Sequence, residues 1–364
     1  MIVSRTPYRI SLFGGGTDYP AWFQDHGGAV LATTIDKYCY LSVRYLPPFF
    51  EHRLRVVYSK IEECNSVAEI KHPAVRAVLE HLQLERGLEI HHDGDLPARS
   101  GMGSSSSFTV GLLHALHALM GRMRSRKQLA EEGIFVEQQL LKETVGSQDQ
   151  ILAAYGGLNH VTFMPTGEFA VRPVTIPPAR LHELEGRLML FYTGIKRTAS
   201  DVARSYAEDV DGRRRQLRII RDMVEEALTI LVGGGDLDAL GDLLHEGWQV
   251  KRSLSKAISN GEVDAMYASA LRAGARGGKL LGAGGGGFML LYVPEDAQDD
   301  VREQMSGLLQ VPFKFESRGS DIIFFDHEQD YSEVEAFRST QDIHGFRELA
   351  EIEPPPKKHA TAGE

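Results

Sequence analysis

The segment at residues 96–113, LPARSGMGSSSSFTVGLL, constrains the fold of this chain more than any other stretch. Gly101 and Gly103 let the backbone approach a ligand closely, and the serines at 104–107 open an apolar run with helical spacing. The free N–H groups at the start of such a helix bind anions, and the hydroxyls add donors and potential metal ligands. Capping alone requires only one serine. The segment therefore predicts a phosphate site, suited to a nucleotide, at the start of a helix.

A second glycine loop lies at residues 282–287, GAGGGG. It matches the dinucleotide fingerprint G-x-G-x-x-G letter for letter, but that fingerprint follows a strand and opens a helix. Here a helical pattern at 262–275 precedes the loop and the apolar strand FMLLYV follows it. The order excludes a Rossmann site and favours a glycine-rich wall of backbone packed closely against something else. The sequence contains no Walker motif either.

The glycine loop that comes first in the chain, the first glycine loop, follows the first predicted strand, in RISLFGGGTDY at residues 9–19. Arg9 places a cation on the strand that enters the loop, and Asp18 places a carboxylate just beyond it. Glycine is the outlier in composition, with 37 of 364 residues against about 7% in ordinary proteins. The three loops account for part of that excess.

Composition narrows the class of protein. The formal net charge of −10 argues against a nucleic-acid or anionic-membrane surface. No run reaches 18 apolar residues, so no membrane span is expected. Two cysteines, Cys39 and Cys64, are too few for a disulfide scaffold or a cysteine zinc site. We expect a cytoplasmic protein that binds small molecules, and whether it forms a homo-oligomer is left open.

The chain predicts an α+β fold of two domains. Strand patterns fill residues 2–45, and helical spacing appears at 73–82, from the serines to Gly121, at about 127–141, and from near Gln148 to Gly156-Gly157. After Pro177-Pro178 a second alternation of strands and helices begins. The expected division is 1–183, 184–346 and a proline- and charge-rich tail at 347–364 that we expect to be disordered.

The three loops, in this order and spacing, resemble the three motifs of the GHMP kinase superfamily. The first glycine loop resembles the first motif of the family. The second motif is resembled by LPARSGMGSSSS, and the third by KLLGAGGGGFMLLY. The resemblance extends to about residue 346. It implies an N-terminal domain like ribosomal protein S5 domain 2, a ferredoxin-like C-terminal domain, and ATP between them.

Within the superfamily, FGGGTDYP, VGSQDQ and HEGWQVKRSLS are most similar to the bacterial D-glycero-α-D-manno-heptose 7-phosphate kinases. That resemblance implies phosphorylation of the anomeric hydroxyl to give the 1,7-bisphosphate, in nucleotide-activated heptose biosynthesis. Galactokinases have Glu-His where this chain has Gly15-Gly16, which counts against galactose. A kinase for another hexose or 6-deoxyhexose, and a non-catalytic relative that binds ATP and sugar, remain alternatives.

The family's ATP and Mg²⁺ sites can be carried over by motif. They imply ATP binding by Arg99, Ser100, Gly101, Met102, Gly103, Ser104, Ser105, Ser106 and Ser107. Mg²⁺ would be held by Ser105 and by Glu137 on the following helix, with Ser104 as the rival to Ser105. Ile134 and Leu141 share a helical face with Glu137, which predicts that this acid is buried.

The resemblance also implies the reacting groups. Asp149 matches the family's aspartate that faces the hydroxyl accepting the phosphoryl group. Arg9 matches the basic residue that stabilises the carboxylate of that aspartate. Contacts to the sugar are implied for Gly15, Gly16, Thr17, Asp18, Arg197, Gly284 and Gly285.

A sugar phosphate also needs cations for its own phosphate. The sequence offers Lys196-Arg197, Lys251-Arg252 and Lys279, and does not choose among them. His91 and His92 are adjacent on a predicted strand, so they point to opposite faces and are interpreted as structural rather than metal-binding.

Overall fold

The protein is described from a computed structural model that covers residues 1–98, 100–195, 211–326, 331–338 and 340–341. The described residues form two sheets with helices packed against them; the second is antiparallel throughout, and the first contains one parallel pair of strands. This arrangement confirms the predicted α+β architecture in two parts.

The first sheet has nine strands among the described residues. Its centre is the pair formed by the two longest strands, which are rich in β-branched and aromatic residues and are buried throughout residues 6–13 and 28–35. The strands are β1 (Ile2–Phe13), β2 (Gly28–Tyr45), β3 (Leu54–Val57), β4 (Ile61–Cys64), β5 (Leu88–Gly94), β6 (Asn159–Phe163), β7 (Phe169–Pro173), β12 (Phe315–Glu316) and β13 (Asp321–Phe325). The continuous path is β13-β1-β2-β5-β3-β4; β12 and β6 pair with β2, and β7 pairs with β6.

The helices that precede the second sheet are α1 (Pro20–His26), α2 (Pro73–Leu82), α3 (Ser104–Leu119), α4 (Arg126–Phe135), α5 (Gln148–Tyr155) and α6 (Pro178–Gly186). Of these, α3 and α5 contact β1 and β2, whereas α6 contacts the first strand of the second sheet. The prediction of a helix over 73–82 is confirmed: its N-cap His72 accepts a hydrogen bond from the Val75 N–H, and Gln83 ends it in the left-handed conformation. The helix predicted over 127–141 is different, because α4 ends at Phe135 and continues as a π-helical turn, Val136–Leu140.

Helix α3 lies directly on β1, which fixes where the phosphate-site helix begins. A Cβ at Gly111 would lie 2.7 Å from the Thr6 hydroxyl, so only glycine allows this approach. The Ser4 hydroxyl donates to the Gly111 carbonyl at 2.9 Å, and the Ser107 hydroxyl donates to the Pro7 carbonyl at 2.9 Å. These contacts hold the first turn of α3 beside the second half of β1, where Arg9 lies.

The second sheet runs β11-β8-β10-β9 and is antiparallel throughout. Its strands are β8 (Leu188–Tyr192), β9 (Gly277–Leu280), β10 (Phe288–Tyr292) and β11 (Leu309–Gln310). The helices of this part are α7 (Arg214–Val232), α8 (Asp238–Leu254), α9 (Gly261–Arg272) and α10 (Gln298–Gln304), and α11 (Ser332–Arg338) lies near the end of the described chain. All five residues of β10 are buried.

The sequence-based division differs from the sheets at two points. Residue 183 lies inside α6 rather than between elements, and the second sheet begins at Leu188. After residue 314 the chain returns to the first sheet, where Phe315 pairs with Ile35 and Asp321 with Arg5. These two strands, β12 and β13, are short and pair with strands some 300 residues earlier in the chain. A local sequence pattern does not reveal such a distant partner. The tail predicted at 347–364 lies outside the described residues.

Candidate active site

The segment at residues 96–107, which we call the serine loop, packs with its backbone against the backbone of the loop at 282–287. A Cβ at Gly101 would lie 2.6 Å from the Leu281 carbonyl oxygen, one at Gly282 would lie 2.6 Å from the Gly101 Cα, and one at Gly287 would lie 2.2 Å from the Ser100 carbonyl oxygen. Real Cβ atoms do not approach so closely, so glycine is required on both sides. The interpretation of the third motif as a closely packed backbone wall therefore fits, and the surface that it packs against is the serine loop itself.

Arg9 and Asp149 form the central ion pair of this junction. The guanidinium donates from Nε to Oδ1 and from Nη2 to Oδ2 of Asp149, each at 2.6 Å, and from Nη1 to the Gly101 carbonyl at 2.7 Å. Arg9 is 4% exposed, whereas the Asp149 side chain is 24% exposed. The bidentate geometry fixes the carboxylate while leaving it partly accessible to solvent.

Gly103 places the serine loop against that pair. It is the N-cap of α3 with φ +72°, and a Cβ there would lie 3.2 Å from Arg9 Cγ and 3.3 Å from Asp149 Oδ2. The N–H groups at the start of this 16-residue helix and the ion pair therefore share one small volume. An anion bound at the helix start lies close to an accessible carboxylate.

The four serines divide into two pairs. The hydroxyl of Ser106 donates to Glu137 at 2.8 Å and that of Ser107 donates to Pro7, and both side chains are buried. Ser105 is exposed and Ser104 partly exposed. The ATP contacts predicted for Ser106 and Ser107 do not fit their hydroxyls, which are engaged inside the protein. Met102 is also fully buried, and its carbonyl accepts from the Arg9 N–H at 3.2 Å.

Glu137 lies in the π-helical turn and is fully buried, as predicted from its helical face. Its carboxylate accepts hydrogen bonds from Ser106, from Thr109 at 3.0 Å and from the side-chain amide of Gln150. Burial raises the pKa of its carboxyl to about 7, and the charge of Glu143 contributes to the rise while the Ser106 bond opposes it. The serine beside this carboxylate is thus Ser106, whereas the sequence paired Glu137 with Ser105.

The surroundings of Glu137 fit a magnesium ion. Every candidate donor is an oxygen, which suits this hard cation. Within the described residues no cationic side chain lies within ion-pairing distance of Glu137, and the side-chain carbonyl of Gln150 is buried without a hydrogen-bond partner. A bound cation would offset the cost of ionising this buried acid. The described residues contain no cluster of three histidine, cysteine or acidic side chains that could hold a metal ion.

The first glycine loop is held by its own side chains. The Thr17 hydroxyl donates to the Gly14 and Ala29 carbonyls at 2.8 and 2.9 Å, and Thr17 is fully buried. A Cβ at Gly14 would lie 2.0 Å from the Ala29 carbonyl oxygen. The sugar contact predicted for Thr17 does not fit this placement, because its hydroxyl locks the turn. Gly15 is partly exposed and lines a cavity beside the loop, whereas Gly16 is buried.

Asp18 joins this loop to α5. Its Oδ1 accepts from the Gly16 N–H at 2.8 Å and its Oδ2 from the Gln148 N–H at 3.3 Å. The residue is 1% exposed, and burial, followed by the charge of Asp149, raises the pKa of its carboxyl. A Cβ at Gly146 would lie 1.9 Å from Asp18 Oδ2, so glycine is required there. Sequence reasoning missed Gly146, although it stands in the quoted VGSQDQ segment.

The remaining predicted contacts are placed as follows. Arg99 and Arg197, with Lys196, lie outside the described residues. Gly284 and Gly285 pack on Ile258: a Cβ at Gly284 would lie 2.8 Å from the Ile258 carbonyl oxygen, and the Gly285 N–H donates to that oxygen at 2.8 Å. Their backbone therefore supports the loop.

The chain was compared with known proteins. Residues 67–157 match the family model described as GHMP kinases N terminal domain, and residues 223–309 match GHMP kinases C terminal. The chain is 27% identical over 309 residues to the D-glycero-alpha-D-manno-heptose 7-phosphate kinase of Campylobacter jejuni, covering 80% of this chain and 89% of that protein. It is 26% identical over 344 residues to the galactokinase of Thermococcus kodakarensis, covering 83% and 92%.

Among solved structures, a D-glycero-D-manno-heptose 1-phosphate kinase from Bacteroides thetaiotaomicron superposes with a TM-score of 0.74. The superposition covers 90% of this chain and 100% of that one, at 22% sequence identity. This likeness shows a shared fold. None of the described helices is both long and apolar enough to cross a membrane.

Proposed function

This chain belongs to the GHMP kinase family, and from that membership we propose that it phosphorylates the anomeric hydroxyl of D-glycero-α-D-manno-heptose 7-phosphate. The product would be the 1,7-bisphosphate, an intermediate of nucleotide-activated heptose biosynthesis. The chain is a phosphotransferase that acts on an alcohol group, a sugar kinase of this family. ATP is its phosphoryl donor, as in the family.

The observation that carries the chemistry is the Arg9–Asp149 pair in contact with Gly103. Phosphoryl transfer depends mainly on positioning and charge neutralisation, with a group that orients or accepts the proton of the attacking hydroxyl. Asp149 supplies that group, because its carboxylate is partly accessible to solvent and held by two hydrogen bonds. Arg9 fixes the carboxylate and adds positive charge beside the transferring phosphoryl group.

The phosphates of ATP would bind at the first N–H groups of α3, with Ser104 and Ser105 as the accessible hydroxyls and Arg99 as an added cation. Mg²⁺ would be held by Glu137 with a serine, Ser105 by resemblance or Ser106 by proximity. When bound, the ion supplies neutralisation of the phosphate charge.

The choice of heptose 7-phosphate is supported by the similarity to the Campylobacter enzyme and by Gly15-Gly16, which leave room for a longer sugar. A kinase for an unphosphorylated hexose or 6-deoxyhexose is the alternative, and the galactokinase similarity favours it. A non-catalytic ATP- and sugar-binding relative is disfavoured because Arg9, Asp149 and Glu137 are all present and interacting.

The test measures ADP release with a panel of heptose 7-phosphates, hexose 6-phosphates and free sugars, and locates the new phosphate by phosphorus NMR. We expect the highest kcat/KM with D-glycero-D-manno-heptose 7-phosphate and a new signal from an anomeric phosphate. A higher kcat/KM with free hexoses would show that the substrate assignment is wrong. A new phosphate elsewhere on the sugar would refute the anomeric position.

A further inference from the structure

Two lysines of the second part reach the first glycine loop and the loop at 282–287. Lys251, near the end of α8, donates from Nζ to the Leu280 and Gly282 carbonyls at 3.1 and 2.6 Å. Lys279, in β9, donates from Nζ to the Leu12 carbonyl at 2.9 Å. Within the described residues neither ammonium has a carboxylate at ion-pairing distance, and each has hydrogen-bonding capacity left.

The charges around these lysines favour an anion. Burial lowers the pKa of both lysines. The pKa of Lys279 falls to about 7, with the charge of Arg9 contributing. The pKa of Lys251 is lowered further by the charge of Lys279 and then by that of Arg9. Asp18 opposes both shifts, but it is a single carboxylate and lies beyond ion-pairing distance. Keeping both buried lysines protonated without a paired anion is unfavourable, and a dianionic ligand would favour their protonated form.

A cavity lies where both lysines meet the first loop. It is lined by Gly15, Lys251 and Lys279, and its apolar side comes from α7 and α8 through Met223 and Leu244. The neighbouring cation Arg252 does not share it, because Nη2 of Arg252 pairs with Asp264 at 2.8 Å.

Two buried polar atoms beside Gly15 also lack partners among the described residues. They are the hydroxyl of Ser11, which is 5% exposed, and the side-chain carbonyl of Gln148, which is 8% exposed. A Cβ at Gly15 would lie 3.3 Å from Ser11 Oγ and 3.5 Å from Gln148 Nε2. Buried polar groups are normally hydrogen-bonded, so two unpaired ones around one glycine indicate a place for a polar ligand.

The cavity borders the first glycine loop rather than the serine loop, because its lining includes Gly14 and Gly15 but no described residue of 96–107. The first two residues of α5 face different loops: Asp149 lies against Gly103 of the serine loop, and Gln148 lies against Gly15 of the first loop. The lysine cavity is on the Gln148 side. An acceptor whose reacting hydroxyl meets Asp149 therefore extends toward Gly15 and the lysines.

We propose that Lys251 and Lys279, together with the Ser11 hydroxyl, bind the phosphate group that the acceptor sugar carries before transfer. The enzyme would then select a sugar phosphate over the corresponding free sugar. This inference rests on the proposed function, because it assigns a part of the same acceptor site.

The test uses the full chain and the variants Lys251→Met, Lys279→Met and Ser11→Ala, with Arg252→Met as the matched control. Steady-state kinetics are measured with D-glycero-D-manno-heptose 7-phosphate, the same heptose without phosphate, hexose 6-phosphates and ATP. Each lysine change is expected to raise KM for the sugar phosphate by about tenfold or more, as for a lost charged hydrogen bond. KM for ATP and turnover of the free sugar should change less than about twofold.

Ser11→Ala keeps the test decisive if a lysine variant folds poorly, because Ser11 Oγ has no partner in the described protein to lose. It should raise KM for the sugar phosphate several-fold, whereas Arg252→Met should leave the preference unchanged. An unchanged preference in all three variants, or a rise in KM for ATP instead, would overturn the inference.

The two proposals fail in different ways. If the wild-type enzyme prefers a hexose 6-phosphate and the lysine variants lose that preference, the inference stands and the heptose assignment falls. If heptose 7-phosphate is preferred equally by wild type and variants, the lysine site alone is wrong. A wild-type enzyme that prefers free sugars would refute both.

Discussion

Arg9 and Asp149 are joined by two hydrogen bonds of 2.6 Å, Nε to Oδ1 and Nη2 to Oδ2, although 140 residues separate them in the chain. The pair connects β1 to the start of α5, and the Arg9 Nη1 bond to Gly101 adds the serine loop to the same junction. The three elements that resemble the family's first two motifs and its catalytic aspartate are therefore held together by one guanidinium. The predictions that follow depend on this geometry.

Asp149→Asn should lower kcat by about 10²- to 10⁴-fold, the usual contribution of a general base. ATP binding should persist, because the first turn of α3 is unchanged. The measurement is kcat by ADP release together with nucleotide affinity by calorimetry. Asp25→Asn, at an exposed position of α1, is the matched control. A variant with the wild-type rate would remove Asp149 from the catalytic residues.

Gly103→Ala should impair activity more than stability. Its φ of +72° costs an alanine about 1 kcal/mol, and its Cβ would press on Arg9 Cγ and Asp149 Oδ2. Gly121→Ala is the control, because it has a φ of +68° but no described atom within 4 Å of its Cβ. Both variants should lose similar thermal stability, whereas only Gly103→Ala should lose kcat. Equal kcat values in the two variants would contradict the proposed contact.

Glu137→Gln should become more stable relative to wild type as pH rises. The unfolded carboxyl ionises near 4.5 and the folded one near 7, so between these values the folded state retains a proton that the unfolded state has lost. The stability of the wild type therefore falls as pH rises over this range. Above pH 7 the full free-energy cost of ionising the buried carboxyl is present. The difference in free energy of unfolding should shift by up to about 3 kcal/mol between pH 4.5 and 8.

That measurement is denaturant unfolding without nucleotide or divalent cations, across the pH range. Glu131→Gln, whose side chain is 52% exposed, is the control for removing an acid from the same helical region. A difference between Glu137→Gln and wild type that does not change with pH would mean that the pKa of the buried carboxyl is not raised.

The KM for the sugar phosphate should rise with pH above 7. Burial, followed by the charge of Arg9, lowers the pKa of Lys279 to about 7, with Asp18 opposing the shift, so above that pH the free enzyme must take up a proton at Lys279 to bind the phosphate. That proton gives a rise of up to about tenfold per pH unit, and the lowered pKa of Lys251 adds a second proton to the same requirement. KM for ATP should not follow this profile.

Lys279→Arg provides the comparison, since a guanidinium stays protonated over the whole range. Its KM for the sugar phosphate should vary less with pH than that of the wild type. Parallel profiles in the two proteins would show that Lys279 is not the titrating group.

Much of the local structure follows from short patterns. The helix at Pro73–Leu82 begins at a proline and lies in a strongly amphipathic segment, and the structure has it with the same bounds. The helix after the serines and the one at Gln148–Tyr155 are likewise present. The π-helical turn at Val136–Leu140 was missed, because periodicity over one turn does not separate the two kinds of helix and Glu137 is buried in either case.

By itself, the sequence determined that three glycine loops exist, that one opens a helix with serines, and that the chain resembles GHMP kinases. These properties depend on residue types at close spacing, since backbone conformation and helix ends are set within a few residues.

Only the tertiary structure decided which serine meets Glu137, that Thr17 locks its own loop, and that Lys279 reaches Leu12 across 267 positions of sequence. It also separated Lys251, which faces the cavity, from Arg252, which pairs with Asp264. The hydrogen-bond and ion-pair partners of these side chains depend on tertiary packing and on the burial of charge. Both are determined by residues far apart in the chain.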